Sequence, residues 1–303
     1  YNPMSAALNE ETKITGTPYM PGCVPALDAF KKGNPAPAMM SVAFTPWSIG
    51  YLTADALVNG LGKKTFFWQI RPDSWGTVTL QGFEDGIKEF GGKIVGVEQL
   101  PKGAPDYSAV INKALAAKPD VFITNMFGGD AVACIKTAYD MGLHKTSMLV
   151  NSWTTYEVAM GIPAEAAEQL YALTYYYYDI GGFSKDLAAR GKALREDHMK
   201  KYGFPPDAYA VLAYTAVDIL MQATEKAGSV EGKKVGEVLQ TATFNTVKGD
   251  ASFREDHQLQ GEYLAFFVKG KAASKKKNKY DVFEVVGAYG GDKALPPLEK
   301  LGY

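Results

Sequence analysis

The sequence predicts an α/β protein of two Rossmann-like lobes that are joined by a hinge and separated by a cleft. Strand and helix patterns alternate regularly through the middle of the chain, further α/β segments flank this block on both sides, and the last segments have the pattern of antiparallel strands. Because the flanking segments meet only if the chain leaves one lobe, builds a second and returns, the chain must cross between the lobes.

The central block predicts a parallel sheet. Residues 64–70 (KTFFWQI) form a short apolar run, as expected of a buried strand. The next segment, 77–90, has apolar residues at helical spacing and ends at Gly91 and Gly92. The same reasoning predicts strands at 93–97, 121–125 and 147–151 and helices at 107–117 and 130–141. Strands separated by helices in this way form βαβ units.

The flanks continue the alternation less completely. Before the block, the pattern predicts a strand at 14–20, an extended segment at 39–44 and a helix at 51–59. After the block, it predicts a strand at 170–178, helices at 184–202, 207–227 and 232–241, and antiparallel strands at 251–253, 262–269 and 280–286.

These segments give a division into lobes. The first lobe is predicted to comprise residues 1–45 and 179–248, and the second to comprise 46–175 and 250–303, with crossovers near residues 45, 176 and 249. The second crossover contains four tyrosines, residues 175–178. Alternation sends two of them to each face, so that either one pair faces the cleft or, as we favour, both faces pack inside the protein.

Composition excludes several classes of protein. The chain has 303 residues and a formal net charge of −1, whereas nucleic-acid-binding proteins carry a basic surplus or stripe. The dense basic run Lys275, Lys276, Lys277 and Lys279 lies between two predicted strands and is interpreted as a solvated hairpin loop rather than a docking patch. No apolar run approaches the ~20 residues of a membrane span, and no signal peptide starts at Tyr1, so we expect any export signal to be removed or left out.

Few residues have the pattern of a catalytic or metal site. Cys23 and Cys134 exclude a disulfide scaffold, and two unpaired buried thiols are favoured over one bridge between them. The histidines, His144, His198 and His257, are scattered, and the sequence contains no nucleophile elbow, P-loop or zinc-protease motif. We therefore predict that the protein is not an enzyme and has no cofactor or bound metal.

Short motifs in a fixed order run along nearly the whole chain. They are residues 73–76 (DSWG), 105–108 (PDYS), 118–123 (KPDVFI), 128–130 (GGD), 138–143 (AYDMGL) and 209–216. In order and spacing they resemble the type I periplasmic solute-binding proteins, specifically the Leu/Ile/Val-binding-like receptors of ABC importers.

This resemblance implies a partner and a location. Such a receptor is extracytoplasmic, either periplasmic or lipid-anchored, and captures a small molecule that it delivers to the permease of an ABC importer. It implies a monomer without a cofactor. Family members begin with a strand, a helix and two further βα units before the point that corresponds to Tyr1, so we expect the sequence to start within the first lobe.

The resemblance also implies ligand-binding positions. They are Gly22 and Cys23 in the loop after the predicted strand 14–20, Thr45 and Trp47 at the first crossover, the aromatic walls Trp75, Phe127 and Tyr209, and the loop Asn151, Ser152 and Trp153. Arg71 is the nearest candidate partner for a ligand carboxylate. The alternatives are a place in the core for Trp75 and Tyr209, a simple turn for Gly22, and an ion pair at the rim for Arg71.

One family feature is missing from the sequence. Amino-acid-binding members carry a Glu in the loop that corresponds to 151–154, where it pairs with the ligand ammonium, but this loop is NSWT. A buried ammonium without a carboxylate partner is strongly disfavoured. We therefore expect an aromatic or apolar carboxylate, or a small amide, that lacks a free α-amino group. The alternatives are branched-chain amino acid binding, a ligand-sensing domain of a regulator, and an α/β enzyme.

Overall fold

A computed structural model describes residues 2–21 and 26–303 of the chain. The strands in these ranges are β1 (Thr65–Ile70), β2 (Lys93–Gln99), β3 (Val121–Thr124), β4 (Met148–Asn151), β5 (Leu170–Thr174), β6 (Phe244–Thr246), β7 (Gly249–Phe253), β8 (Leu259–Gly261), β9 (Ala265–Gly270) and β10 (Phe283–Tyr289). The α-helices are α1 (Asn2–Thr15), α2 (Pro46–Asp55), α3 (Ser74–Phe90), α4 (Ser108–Ala117), α5 (Gly128–Asp140), α6 (Tyr156–Met160), α7 (Ala164–Glu168), α8 (Lys185–Arg190), α9 (Lys192–Tyr202), α10 (Ala208–Ala227), α11 (Gly232–Thr241) and α12 (Leu298–Leu301).

The larger sheet has seven strands in the order β2-β1-β3-β4-β5-β9-β10. The first five of these strands pair in parallel, and β9 and β10 continue the sheet antiparallel beyond β5. The parallel part therefore has the doubly wound order 2-1-3-4-5. Strands β1 and β3 are buried almost throughout, as expected when both faces of a parallel sheet are covered.

The predicted α/β class and the parallel central sheet are confirmed. Strands β1 to β4 and helices α3 to α5 lie within a few residues of the predicted bounds, and α11 has the predicted bounds. Antiparallel strands also occur in the predicted tail, and the lysine-rich run lies in the loop between β9 and β10 as predicted.

The residues that were assigned to the first lobe are mainly helical. They contribute α1 and α8 to α11, and β6 belongs to a small antiparallel sheet with β7 and β8. Among the first-lobe residues that the structure describes, parallel pairing consists of two isolated bridges, Tyr19 with Met39 inside the lobe and Ser41 with Gln258 of the second lobe.

Residues 14–20 are not the predicted strand, because α1 extends over the first of them. The buried face of α1 is formed by Ser5, Asn9 and Thr12, which recur at helical spacing. This buried face is polar, so the usual apolar signal of a helix is missing from the sequence here. A short extended segment follows the helix.

The predicted strand 170–178 and helix 184–202 are both interrupted. β5 ends at Thr174. The Thr174 hydroxyl donates a hydrogen bond to the carbonyl oxygen of Tyr176 (3.3 Å), so this side chain bonds to the backbone of its own segment. The helical segment consists of α8 and α9, which meet at Gly191, where a Cβ atom would overlap the Tyr176 hydroxyl. Both breaks therefore involve the same tyrosine.

Connecting segments meet at Tyr175, next to the predicted crossovers. The Tyr175 hydroxyl donates a hydrogen bond to the carbonyl oxygen of Val42 (3.3 Å), and Lys248 Nζ lies 3.2 Å from the centroid of the Tyr175 ring. Lys248 is buried and donates to the carbonyl oxygen of Leu264 (2.7 Å). Burial lowers the pKa of Lys248 well below its usual value. Residues 175–178 are all buried, which agrees with packing on both faces.

Helices α2 and α3 pack with their backbones in contact. A Cβ atom on Gly50 would overlap the carbonyl oxygen of Thr79, and one on Gly82 would overlap that of Trp47. Only glycine allows backbones to approach so closely. In this packing the indole nitrogen of Trp47 donates a hydrogen bond to Asp85 on α3 (2.8 Å).

The main hydrophobic core is continuous from the large sheet through residues 175–178 to α10 and α11. Segments assigned to different lobes therefore share packing. Cys134 lies in this core as a free thiol, and burial raises its pKa to about 12. Cys23 lies outside the described residues. Across residues 2–21 and 26–303, the helices include none with the length and apolar character that crossing a lipid bilayer requires.

Candidate functional site

The carboxyl ends of β1, β3 and β4 lie at one edge of the large sheet. In the order 2-1-3-4-5 the winding reverses between β1 and β3, and open α/β sheets bind ligands in the crevice outside these strand ends. The segment after β1 carries Arg71 and Trp75, and the segment after β3 carries Asn125 and Phe127. The topology therefore brings two of the predicted aromatic walls to the expected place.

Trp75 is fixed at the start of α3. The Asp73 side chain caps this helix by accepting a hydrogen bond from the backbone N–H of Gly76 (3.2 Å). The Trp75 indole nitrogen donates to the carbonyl oxygen of Asn125 (3.2 Å), and the Trp75 ring meets the ring of Phe127 edge to face at 5.9 Å. The two rings thus form one corner of the site, and Phe127 is 37% exposed there.

Arg71 forms an ion pair with Asp73 two residues along the chain. The predicted alternative, an ion pair at the rim, therefore describes the contact that the structure contains. The guanidinium also lies 5.1 Å from the centroid of the Phe127 ring, at cation–π distance. Its Nε atom is buried and has no hydrogen-bond partner among the described residues. Arg71 is thus beside the aromatic corner, with its charge shared with a carboxylate.

Asn151 and Ser152 bind neighbouring protein groups. The Asn151 amide nitrogen donates to the carbonyl oxygens of Thr124 (3.1 Å) and Met126 (2.8 Å). Ser152 accepts a hydrogen bond from the amide nitrogen of Asn125 (3.3 Å). Both side chains are buried, so in this conformation they fix the ends of β3 and β4 next to the crevice.

Trp153 and Tyr209 join the sheet edge to α10. The Trp153 indole nitrogen donates a hydrogen bond to the Tyr209 hydroxyl (3.1 Å), and their ring centroids are 6.4 Å apart. Phe44 packs edge to face on Trp153 at 5.3 Å. Trp153 is only 2% exposed, whereas Tyr209 is 38% exposed. Of the pair, Tyr209 therefore presents the accessible surface.

Most of the predicted residues form two contacting groups, which the chain joins at Ser152 and Trp153. Trp75 contacts Phe127 and Asn125, Asn125 contacts Ser152, and Trp153 contacts Tyr209. The predicted residues that the structure brings together in this way are Arg71, Trp75, Phe127, Asn151, Ser152, Trp153 and Tyr209. We call this set the aromatic crevice.

Trp47 differs from the prediction. Its indole nitrogen bonds to Asp85, its ring stacks on Tyr51 at 4.8 Å, and Lys300 Nζ lies 5.6 Å from the ring centroid. These partners are outside the aromatic crevice. The physical reason is the close packing of α2 on α3, which directs this side chain toward α3, whereas its position at a crossover had suggested the cleft.

Thr45, Gly22 and Cys23 are the remaining residues of the predicted ligand site. Thr45 is buried directly before α2, and its hydroxyl has no hydrogen-bond partner among the described residues. Gly22 and Cys23, which were predicted to hold a ligand carboxylate, lie outside the described residues.

Three residues of the crevice were missed by the sequence reasoning. Phe44 packs on Trp153, Asn125 connects Trp75 to Ser152, and Asp73 pairs with Arg71. Asn125 had a usable signal, because it directly follows a predicted parallel strand, where ligand-site residues concentrate. Asp73 had a weaker signal, as a carboxylate two residues after Arg71, whereas Phe44 had none, since its role depends on a contact with Trp153 that the local pattern does not encode.

Three carboxylates lie near the aromatic crevice in sequence, and one of them, Asp130, follows Phe127 by three residues and accepts a hydrogen bond from the backbone N–H of Gly103 (3.0 Å). Asp73 is neutralised by Arg71, and Asp207 caps α10 by accepting a hydrogen bond from the backbone N–H of Ala210 (2.6 Å). In the part of the chain that the structure describes, no cluster of His, Cys, Asp and Glu has the arrangement of a metal site.

Comparison with known proteins identifies the family. A family profile described as "Periplasmic binding protein" matches residues 3–276. The Leucine-, isoleucine-, valine-, threonine-, and alanine-binding protein of Pseudomonas aeruginosa is 24% identical over 193 residues, which cover 64% of this chain and 50% of that protein. The chain spans about half the length of the curated relatives it matches.

Solved structures share the fold. An amino acid ABC transporter substrate-binding protein from Pseudomonas fluorescens superposes with a TM-score of 0.86 at 20% identity, covering 98% of this chain and 77% of that one. An ABC transporter solute-binding protein from R. palustris in complex with benzoate has a TM-score of 0.77 at 19% identity, covering 95% and 76%. The chain belongs to the periplasmic binding protein family, with the type I fold of the Leu/Ile/Val-binding proteins.

Proposed function

We propose that this protein is the extracytoplasmic solute-binding receptor of an ABC importer. It captures a small organic ligand by closing two lobes and presents it to a membrane permease, acting as a monomer without catalysis. Membership of the periplasmic binding protein family supports this, as does the likeness to ABC transporter substrate-binding proteins. A ligand that contacts both lobes stabilises the closed form, which is how binding becomes a signal to the permease.

The lobes of this proposal are residues 1–45 with 179–248, and 46–175 with 250–303. The contacts of Tyr175 with Val42 and Lys248 support a hinge at that position, because all three residues lie beside the proposed crossovers. In this division, Trp153 belongs to the second lobe and Tyr209 to the first. Their hydrogen bond is then a contact between lobes.

The proposed ligand is an aromatic or apolar carboxylate, or a small amide, without a free α-amino group. The observation that carries this choice is the aromatic crevice, where Trp75, Phe127 and Tyr209 lie beside a β4 loop that contains no carboxylate. Flat apolar walls favour a flat apolar guest, and an ammonium buried there would have to find its partner elsewhere. A ligand carboxylate beside Phe127 would share Arg71 with Asp73.

Branched-chain amino acid binding is the second candidate. Asp207 favours it, because this carboxylate lies two residues before Tyr209 at the start of α10 and forms no ion pair among the described residues. The P. aeruginosa relative is named for binding such amino acids. In this case Asp207 would neutralise the ligand ammonium.

Calorimetry with a matched pair of ligands separates the two candidates. Leucine and 4-methylpentanoate have the same side chain and carboxylate, and differ in the α-amino group. We expect the protein to bind 4-methylpentanoate or benzoate and to bind leucine more weakly. Asp207→Asn keeps a good helix cap and removes the charge, so it should leave the affinity for benzoate unchanged. Tighter binding of leucine, lost in Asp207→Asn, would establish the second candidate instead.

A further inference from the structure

A cavity of about 350 Å³ lies away from the aromatic crevice. Its walls come from the segment after β5, from α9 and the loop that follows it, and from the lysine-rich loop between β9 and β10. The residues that matter for its chemistry are Tyr178, Arg195, Glu196, Met199, Asn278 and Tyr280. We call this the rear cavity. No residue of the aromatic crevice lines it.

The rear cavity has aromatic walls whose positions are fixed. The rings of Tyr178 and Tyr280 both meet the ring of Tyr156 edge to face, at 6.4 Å and 5.9 Å. The Tyr178 hydroxyl donates to the side-chain oxygen of Asn278 (3.3 Å), and the Tyr280 hydroxyl donates to the carbonyl oxygen of Gly203 (3.3 Å). With these contacts, the rings form preorganised surfaces for a flat apolar group.

The rear cavity is also lined by an arginine, Arg195. One guanidinium nitrogen of Arg195 donates to the carbonyl oxygen of Tyr178 (3.4 Å), and among the described residues Arg195 takes part in no ion pair. Glu196 also lines the cavity, and its ion pair is with Lys192, at 3.9 Å. An arginine with only a neutral acceptor retains donors for a carboxylate.

The lysine-rich loop adds positive charge at the rim. Lys279 Nζ lies 4.9 Å from the centroid of the Tyr280 ring, next to the cavity. Lys277 is paired with Asp179 (2.9 Å), which fixes this part of the loop. Asn278 and Tyr280 of this loop line the cavity, so the loop is more than a solvated turn.

We propose that the rear cavity is a second binding site, for a small aromatic carboxylate. The carboxylate binds Arg195, and the ring lies against Tyr178 and Tyr280. In the proposed division into lobes, α9 belongs to the first lobe and the loop with Tyr280 to the second, so a ligand here contacts both. Such a ligand changes the affinity of the aromatic crevice, and the coupling is reciprocal. The coupling depends on the proposed function, whereas binding at the rear cavity does not.

The test uses the full 303-residue chain and 2-naphthoate as the probe, with calorimetry and a crystal structure of the complex. Arg195→Gln should weaken binding at the rear cavity by roughly tenfold or more, because it removes a charged hydrogen-bond donor. Lys200→Gln, a change on the exposed surface of the same helix, should leave the affinity unchanged. The neutral analogue 2-naphthamide should bind this site more weakly than 2-naphthoate.

The outcomes separate this site from the aromatic crevice. Phe127→Ala alters the crevice at an exposed ring and should leave 2-naphthoate bound at the rear cavity. Loss of all 2-naphthoate binding in Phe127→Ala, or unchanged affinity in Arg195→Gln, would overturn the proposal. Failure of any ligand to bind the crevice, with 2-naphthoate still found between α9 and the lysine-rich loop, would refute the proposed function and keep this site.

Discussion

The hydrogen bond between Trp153 and Tyr209 gives the sharpest mutational prediction. Tyr209→Phe removes the hydroxyl and keeps the ring, so the Trp153 indole nitrogen loses its acceptor at 3.1 Å. Trp153 is 2% exposed, and water reaches it poorly. A neutral hydrogen bond of this kind contributes about 1 kcal/mol, and a buried donor left without an acceptor costs about 1–3 kcal/mol.

A double-mutant cycle measures this contribution. The free energy of unfolding is measured by urea titration for the wild type, Tyr209→Phe, Trp153→Phe and the double variant. We expect a coupling energy of about 1 kcal/mol between the two positions. If the bond joins two lobes, Tyr209→Phe also weakens benzoate binding in calorimetry by about five- to thirtyfold, the equivalent of about 1–2 kcal/mol.

Tyr214→Phe provides the matched control, because Tyr214 is an exposed tyrosine on the same helix. It should change neither the stability nor the affinity. A coupling energy below about 0.3 kcal/mol would refute the reasoning, since independent sites add within that error. Equal effects of Tyr209→Phe and Tyr214→Phe would do the same.

Other predictions follow from packing and burial. Gly50→Ala should lower the free energy of unfolding, measured by urea titration, by about 3 kcal/mol or more, because its Cβ would meet backbone that cannot move aside. Gly182 faces open space, so Gly182→Ala should change the free energy of unfolding little. Burial lowers the pKa of Lys248, so the unfolded chain binds more protons between that pKa and the usual 10.5. The wild type should therefore gain stability as pH rises through this window, and in Lys248→Met this gain should be absent. In Cys23→Ser, the Cys134 thiol, with its pKa raised to about 12 by burial, should react with Ellman's reagent at pH 8 only after urea is added.

The sequence predicted the central sheet well because its signals are local. The run 64–70 is apolar, and the next segment has helical spacing and a glycine stop, so neither needs knowledge of distant residues. The strand predicted at 14–20 was wrong because the helix that ends there has no local apolar signal. The buried face of α1 consists of Ser5, Asn9 and Thr12, so the helix has no apolar stripe on its inner side.

The aromatic crevice was predictable in part. Motif order placed Trp75 and Phe127 after parallel strands, and the structure brings them together. The direction of the Trp47 side chain was not predictable, since it depends on the backbone contact of α2 with α3. The partner of Arg71 was also not predictable. The sequence allowed either a ligand carboxylate or the neighbouring Asp73, and the structure contains the ion pair with Asp73.

The absence of a carboxylate in the β4 loop is the feature from which the ligand class was inferred. Isothermal titration calorimetry with 3-phenylpropanoate and L-phenylalanine tests it directly, because the two molecules differ in one α-amino group. We predict that 3-phenylpropanoate binds more tightly by about a hundredfold or more, since an unpaired buried ammonium costs several kcal/mol. Equal or tighter binding of L-phenylalanine would contradict that inference.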